Sequence, residues 1–451
     1  MTSLAEVRLW GRTIGAVSLH DGDEVTSFEY DPAFAQSGIQ VAPIVMPLSG
    51  RVYRFPELSR RTFLGLPGLL ADSLPDKFGN ALIDAWLASQ GRRPDSFNSV
   101  ERLCYTGRRG MGALEFAPVM GPAAHTSAHI DVARLVDLAS EILTHRTTLR
   151  ASFNEGNNED SLRDILHVGT SAGGARAKAV IAWNPITNEV RSGQVNVGEG
   201  FEHWLLKFDG VSGNKDKELD DPKGYGLIEY AYYLMARDCG IDISECRLFK
   251  ENGRSHFMTR RFDRTSTGER LHMQSLCALG HFDFHMPGAH SYEQAMLVMR
   301  QMNLPMQSIE QLFRRMAFNI IARNQDDHVK NIAFLMNQSG EWSLSPAFDV
   351  TYSFNPDGLW TSSHQMTLNG KRDRFTMDDF EACARSASMK RGRAKAIVAE
   401  VHETVSMWPS YAEQAGVPDH LRTKVHDALN LSSHKLSSVN NGSPVTRLIA
   451  P

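Results

Sequence analysis

The stretch Ser308–Met336 constrains this chain most, because an amphipathic helix, a polar loop and an apolar strand follow one another directly. Ile309, Leu312, Phe313, Met316, Ile320 and Ile321 recur every three to four residues. That spacing gathers them on one stripe and predicts a helix over Ser308–Arg323 with a buried face. Ser308 and Gln311 fit a capping box at its start. The loop Asn324-Gln325-Asp326-Asp327-His328-Val329-Lys330-Asn331 follows, then the apolar run Ile332–Met336. Asn331–Met336 and Glu341–Phe348 read as strands around the turn-like Asn337-Gln338-Ser339-Gly340, which predicts a β-hairpin. Asn331 opens the first strand and Asp349 closes the second. Antiparallel pairing would therefore set the two side by side.

Asp326 and Asn331 have the Asp-x4-Asn spacing that kinases use for a catalytic aspartate and a metal-binding asparagine. Mg²⁺ takes oxygen ligands and only one or two protein carboxylates. An Asn331 amide oxygen beside an Asp349 carboxylate suits it. The plainer alternative is a capped polar turn, with Asp349 capping the segment that follows.

Upstream, Gly169-Thr170-Ser171-Ala172-Gly173-Gly174-Ala175-Arg176-Ala177-Lys178 lies between two predicted strands, Ile165–Gly169 and Lys178–Trp183. Small residues let successive backbone N–H groups approach phosphate oxygens, and Arg176 and Lys178 add positive charge. This is not a P-loop, because Gly174 is followed by Ala-Arg and then by a strand. Strand, glycine loop, strand is a kinase arrangement; a hairpin tip is the alternative. Lys207 sits in the predicted strand His203–Phe208, where a buried ammonium needs a partner. Glu229, on a helix predicted near Leu227–Arg237, is the candidate; an edge strand with Lys207 in solvent is the other reading.

The remainder organises around this centre. Residues 7–30 alternate apolar and polar side chains around glycines and predict a β-meander. Helical patterns cover Leu66–Gln90 and Asp131–His145, and most of the chain beyond the hairpin to Leu429. The Pro/Gly/Ala/Ser-rich Pro118–Ser127 is a predicted boundary. The tail from Ser432 is Ser/Asn/Gly/Pro-rich and predicts disorder. Domains are expected at 1–120, 121–265 and 266–431, with a tail at 432–451. No apolar run approaches the ~18 residues a membrane helix needs, and the first residues lack a secretory pattern. Five scattered cysteines without a Cys-x-x-Cys pair argue for a reduced cytoplasm and against a zinc ribbon. A net charge of −4 offers no general draw for nucleic acid.

These elements, in this order, resemble the HipA family of bacterial serine/threonine protein kinases, the toxin halves of type II toxin–antitoxin pairs. Leu69–Asp76 and Gly107–Leu114 resemble that family's leading subdomain. Ser171–Lys178, the Lys207 strand, Arg261-Phe262-Asp263-Arg264, Asp326–Asn331 and Phe348-Asp349 resemble its kinase part. The resemblance implies an α+β, two-lobed, protein-kinase-like fold with an N-terminal β-rich subdomain and a mainly helical C-terminal lobe. It implies ATP and Mg²⁺ as cofactors. Asp326 would orient or deprotonate the acceptor hydroxyl, Asn331 and Asp349 would hold Mg²⁺, and Lys207 would pair with the α/β phosphates. The loop Ser171, Ala172, Gly173, Gly174, Ala175, Arg176, Ala177, Lys178 would cover the phosphates. His328 and Lys330 would lie near the nucleotide, and Arg260, Arg261 and Phe262 would form the hinge at the adenine. Ser171 matches an autophosphorylation position. The implied partners are a protein substrate, in family precedent an aminoacyl-tRNA synthetase such as the glutamyl enzyme, and a HipB-like helix-turn-helix antitoxin that would contact DNA. Two departures stand out: Arg260 replaces a frequent Glu, and the phosphate loop carries an extra glycine and an arginine.

Three other readings compete. Gly169-Thr170-Ser171-Ala172-Gly173 matches a hydrolase Gly-x-Ser-x-Gly, but that motif needs a strand-to-helix elbow. His281, His285 and His290 could hold a metal, though proline and glycines break the region. A catalytically inactive pseudokinase-type binding module is the third, and the joint presence of Lys207, Asp326, Asn331 and Asp349 argues against it.

Overall fold

The computed structural model describes residues 2–75, 77–121, 130–144, 165–166, 176–194, 198–211, 223–265 and 267–431. The glycine loop up to Ala175, with Ser171, and the tail from Ser432 lie outside the described residues.

Alternation builds the first sheet. β1 (Leu4–Leu9), β2 (Arg12–Ser18), β3 (Ser27–Tyr30) and β4 (Leu114–Ala117) form an antiparallel sheet in the order β3-β2-β1-β4. Val7, Leu9, Ile14, Val17 and Phe28 enter its core; Val7 and Leu9 follow the period of two, and a register shift between Val7 and Arg8 lets Ile14 and Val17, three residues apart, both be buried. The expected helix Leu66–Gln90 is two helices, Gly68–Ala71 and Lys77–Ser89. Pro75 interrupts it; a proline disfavours helical backbone in the residue before it.

The second sheet is antiparallel in the order β6-β5-β7-β9-β8. It comprises β5 (Lys178–Trp183), β6 (Val190–Ser192), β7 (Glu202–Lys207), β8 (Cys246–Glu251) and β9 (Arg254–Arg260). The helices Lys77–Ser89 and Val132–Thr144 share a core with it through Leu82, Ala85, Val136, Ile181, Trp204 and Leu206. Ile165 and Leu166 are helical rather than strand, and both are buried in that core. An apolar pair fits either state, so periodicity could not decide.

The third sheet joins β10 (His272–Ser275), β11 (Ala333–Met336) and β12 (Trp342–Leu344). Around it packs the largest core, built on the helices Tyr225–Asp238, Tyr292–Gln301, Met306–Ile321, Met377–Ser386 and Arg393–Ser406. The predicted stripe is buried along the helix Met306–Ile321. The predicted capping box is absent. Pro305 occupies the N-cap, and Gln311 instead accepts from Asp242 N at 3.0 Å and donates to Gly240 O at 3.0 Å. The chain between β12 and the helix Met377–Ser386 is irregular, not helical as expected.

The N-terminal module that carries the meander meets this body through polar contacts. Gly112 N donates to Asp263 Oδ2 at 2.7 Å, and Asp72 accepts from Ser275 N at 2.6 Å and Ser275 Oγ at 2.8 Å. The Gly107–Gly112 segment therefore works as a docking turn. No helix among the described residues is long and apolar enough to cross a membrane.

Candidate active site

The middle strand of the five-stranded sheet ends on a buried lysine. In β7, Trp204, Leu206 and Lys207 are buried, and the register sets Lys207 opposite Lys178 of β5, also buried. Like charges paired across strands destabilise a sheet, and buried ones require counter-charge. The edge-strand reading of Lys207 is thereby excluded.

Glu229 supplies one counter-charge from the helix Tyr225–Asp238. Gly226, one turn earlier, lets that helix run close to the sheet: a Cβ there would lie 2.6 Å from the Ser255 carbonyl oxygen. Glu229 Oε1 accepts from Lys207 Nζ at 2.5 Å, and Oε2 accepts from Arg176 at 3.0 Å. Lys207 also donates to Asp349 Oδ1. Burial pulls the Lys207 ammonium down, but Asp349 and Glu229 outweigh it and hold it above its ordinary value. Burial likewise pushes Asp349 up, while Lys207 and then Lys178 overcome this and hold its carboxyl at about 2. Both groups are therefore charged at neutral pH.

Asp349 is not positioned by the hairpin ladder. The pairing of β11 with β12 runs from Met336–Trp342 to Phe334–Leu344, with one further bond from Ser345 N to Ala333 O. Asn331 ends a 3₁₀ turn, Val329–Asn331, before β11 begins. The expected side-by-side placement through strand pairing is thus corrected: each residue is set by local contacts. Asp349 takes φ 52°, a left-handed conformation that Asp tolerates better than most side chains. Asn324 Nδ2 approaches its carbonyl oxygen at 3.5 Å. Asn331 Nδ2 donates to Asp326 O at 2.9 Å, which commits its amide nitrogen and leaves the oxygen as the end that can serve a cation.

The two adjacent aspartates of the loop differ in role. Asp327 is buried and accepts from Tyr292 OH, His364 Nδ1 and Gln365 N, each at 2.8 Å. Asp326 has a side chain 44% exposed and accepts from Trp360 Nε1 at 2.6 Å, with His328 Nε2 at 3.8 Å from the same oxygen. Asp326 is thus the carboxylate of the loop that can meet an incoming group. Beside it, Asn324 Oδ1, Gln325 Oε1 and Nε2, His328 Nδ1 and Gln365 Oε1 are buried without a hydrogen-bond partner. Such a cluster of unsatisfied polar atoms suits a ligand-binding site better than a packing site.

The other sequence candidates are distributed around this centre. Lys330 Nζ lies 5.4 Å over the Phe284 ring, and the His328 ring is 5.3 Å from that ring. The Phe262 and Phe348 rings meet at 5.6 Å. Arg260 closes β9 and forms ion pairs with Glu202 at 3.4 Å and Glu245 at 3.7 Å. The Arg261 guanidinium is committed to Asp263, at 2.9 and 2.7 Å, so a hinge role for Arg261 falls to its backbone. Ala177 is buried next to Lys178, and Ser171–Ala175 lie outside the described residues. Of the rival sites, the predicted strand after the Ser171 loop is present as β5, not a helix. The three histidines are engaged separately: His281 accepts from Gly68 N at 3.1 Å, His285 meets Thr62 Oγ1 at 2.8 Å, and His290 stacks on Phe282.

Among the described residues no group of three or more His, Cys, Asp and Glu side chains gathers as a metal centre. A Mg²⁺ that arrives with a nucleotide would need only one or two protein ligands, and the Asn331 amide oxygen and the Asp349 carboxylate are hard oxygen donors of the kind that would fit it. Sequence reading missed Trp360, His364, Gln365 and Tyr292. They come from two separate parts of the chain, Tyr292 and the segment 360–365, and meet at the loop only in the fold, with no local spacing to signal it.

The family model described as HipA-like C-terminal domain matches residues 170–408, and the HipA N-terminal domain model matches residues 5–117. Among solved structures, HipA of the Shewanella oneidensis MR-1 toxin–antitoxin system, in complex with HipB and its operator DNA, is similar over 94% of this chain and 96% of that chain. The identity is 15% and the TM-score 0.65, so the two share a fold, one of mixed helices and sheets. The Helicobacter pylori proinflammatory kinase CtkA aligns over 52% of this chain and 88% of that chain, at 12% identity and a TM-score of 0.32. No curated protein matches this sequence.

Proposed function

We propose a function for this chain, which belongs to the HipA family: it is a Mg·ATP-dependent serine/threonine protein kinase with Asp326 as its catalytic carboxylate. The observation that carries the reading is the contact chain from Glu229 through Lys207 to Asp349, ending beside a loop whose half-exposed carboxylate is Asp326.

In this reading Lys207 pairs with the α/β phosphates and Glu229 keeps its ammonium oriented. Asn331 and Asp349 hold Mg²⁺, which when bound offsets the negative charge of the phosphates. Residues 171–175 cover the phosphates with Arg176, Ala177 and Lys178 at the base, and His328 and Lys330 flank the nucleotide. Arg260, Arg261 and Phe262 form the adenine hinge, with Phe262 and Phe348 as its apolar wall. Asp326 accepts the hydrogen bond of a serine or threonine hydroxyl. The hydroxyl oxygen bonds to the γ-phosphorus, the bond to the β-bridging oxygen breaks, ADP leaves, and the hydroxyl proton passes to Asp326. The transition state is loose, so positioning and charge do most of the work.

Family membership supports a toxin acting on a protein target such as an aminoacyl-tRNA synthetase, in the cytoplasm where ATP is supplied. It also supports limitation by autophosphorylation at Ser171 and a HipB-like antitoxin that contacts DNA on the pair's behalf. Phosphoproteomics of cells expressing wild type against Asp326→Ala tests the proposal. Sites lost in the variant, with Mg·ATP binding retained, are expected. Equal phosphorylation in both strains would remove Asp326 from its role, and ATP binding without any transfer would make the chain a binding module.

A further inference from the structure

Asp326 is held by a closed circuit of hydrogen bonds that passes through a segment far along the chain. Buried Asp327 accepts from Gln365 N at 2.8 Å. The Gln365 side chain turns back, its Nε2 donating to Trp360 O and reaching Gln325 O at 3.3 Å. Trp360 Nε1 then donates to Asp326 Oδ1 at 2.6 Å. The neighbouring backbone is pinned as well, with Ser353 N on Arg323 O at 3.1 Å and Gly358 N on Asn355 O at 3.1 Å.

We infer that Trp360 is a positioning residue for phosphoryl transfer: its indole N–H fixes the Asp326 carboxylate through Oδ1 and leaves Oδ2 for the acceptor hydroxyl. This rests on Asp326 being the catalytic carboxylate. The asymmetry at Asp326 supports it. The donors that reach the carboxylate, Trp360 Nε1 and the more distant His328 Nε2, converge on one oxygen. A carboxylate whose side chain is 44% exposed would otherwise turn about its terminal torsion, which is broad and roughly two-fold. A charge-assisted bond from a rigid indole removes that freedom while adding no second group to the reacting side. Asp327, by contrast, needs no such help, because three donors already fix it.

The test compares wild type, Trp360→Phe and Asp326→Ala for transfer from γ-labelled Mg·ATP into whole-lysate protein, alongside calorimetric titration with Mg·ATP. Trp360→Phe removes the N–H but keeps an aromatic ring. A fall in kcat on the order of 10- to 100-fold is expected, as for other small losses of alignment, with Mg·ATP affinity within twofold of wild type. A rate equal to or above wild type overturns the inference, the latter by making Trp360 a blocking group. A parallel loss of rate and ATP affinity overturns it too, since the role is then structural. Should the phenylalanine variant fail to fold, benzothienylalanine introduced at position 360 keeps the indole shape with sulfur in place of N–H, and the same outcomes decide. If wild type and Asp326→Ala transfer equally, the kinase assignment of Asp326 fails instead, and the two failures are separable.

Discussion

Lys207 Nζ and Glu229 Oε1 meet at 2.5 Å inside the protein, and the same lysine also donates to Asp349. Glu229 also holds Arg176. Removing one partner of a buried pair leaves an uncompensated charge, at a cost of about 3–5 kcal/mol. Glu229→Ala takes a buried carboxylate from both Lys207, which keeps Asp349, and Arg176, and is expected to destabilise by about the lower end of that range in urea unfolding. Lys207→Met should cost less, because Arg176 still faces Glu229 and the methionine replaces the alkyl stem. The reverse order would show that Glu229 is not the centre of the cluster.

Neighbouring aspartates should respond oppositely to the same change. Asp327→Ala leaves Tyr292 OH, His364 Nδ1 and Gln365 N without their acceptor. At roughly 1 kcal/mol or more for each unsatisfied donor, a loss of about 3 kcal/mol is expected. Asp326→Ala should move the melting temperature hardly at all while abolishing transfer. Calorimetric scans of the two variants check the contrast, and a large stability loss in Asp326→Ala would contradict the division of roles.

What the sequence reveals here depends on how local the physics is. The helix Met306–Ile321 was legible because it buries a repeating face of its own residues, and the strand Lys178–Trp183 because it carries a short apolar run that is buried on both faces. The start of that helix was misread because Ser308 and Gln311 satisfy a spacing, yet Pro305 takes the cap and Gln311 serves a distant loop. Lys207 and its partner Glu229 could be named from a charge in an apolar strand, and Asp349 from its place at the end of the predicted hairpin. How Asn331 and Asp349 are positioned could not, since the ladder stops short of both. Trp360 and Gln365 were invisible because their contacts with the loop exist only after the chain has folded back on itself.

Gly112 should be among the least replaceable positions in the N-terminal module. It takes φ +74°, and a Cβ there would lie 2.9 Å from Met273 N of β10. Its N–H ends on Asp263, whose carboxyl is buried but held well below its usual range by Arg261 and Arg264. Gly112→Ala combines left-handed strain with a displaced docking turn, and a loss of about 2 kcal/mol or more is expected. Urea unfolding measures it. Gly22→Ala, also at positive φ but with nothing within 4 Å of the added methyl, should cost less.

Acid should loosen the same junction through His272. This residue on β10 is fully buried, with Nε2 3.2 Å from Val41 O of the N-terminal module. Burial, opposed only by that backbone bond, brings it down to about 4. The sign follows from proton counting. Between about 6.5 and 4 the unfolded chain binds a proton on this histidine and the folded chain does not, so stability falls as pH drops through that window. The pKa difference corresponds to an upper figure of about 3 kcal/mol. His203, His281 and His285 are also brought down to about 4, chiefly by burial, and add to the same slope. Unfolding free energy measured from pH 7 to pH 4 should therefore decline steeply, and His272→Gln should flatten the curve by about one proton's worth. An unchanged slope in that variant would mean that His272 is protonated in the folded protein as readily as in the unfolded one.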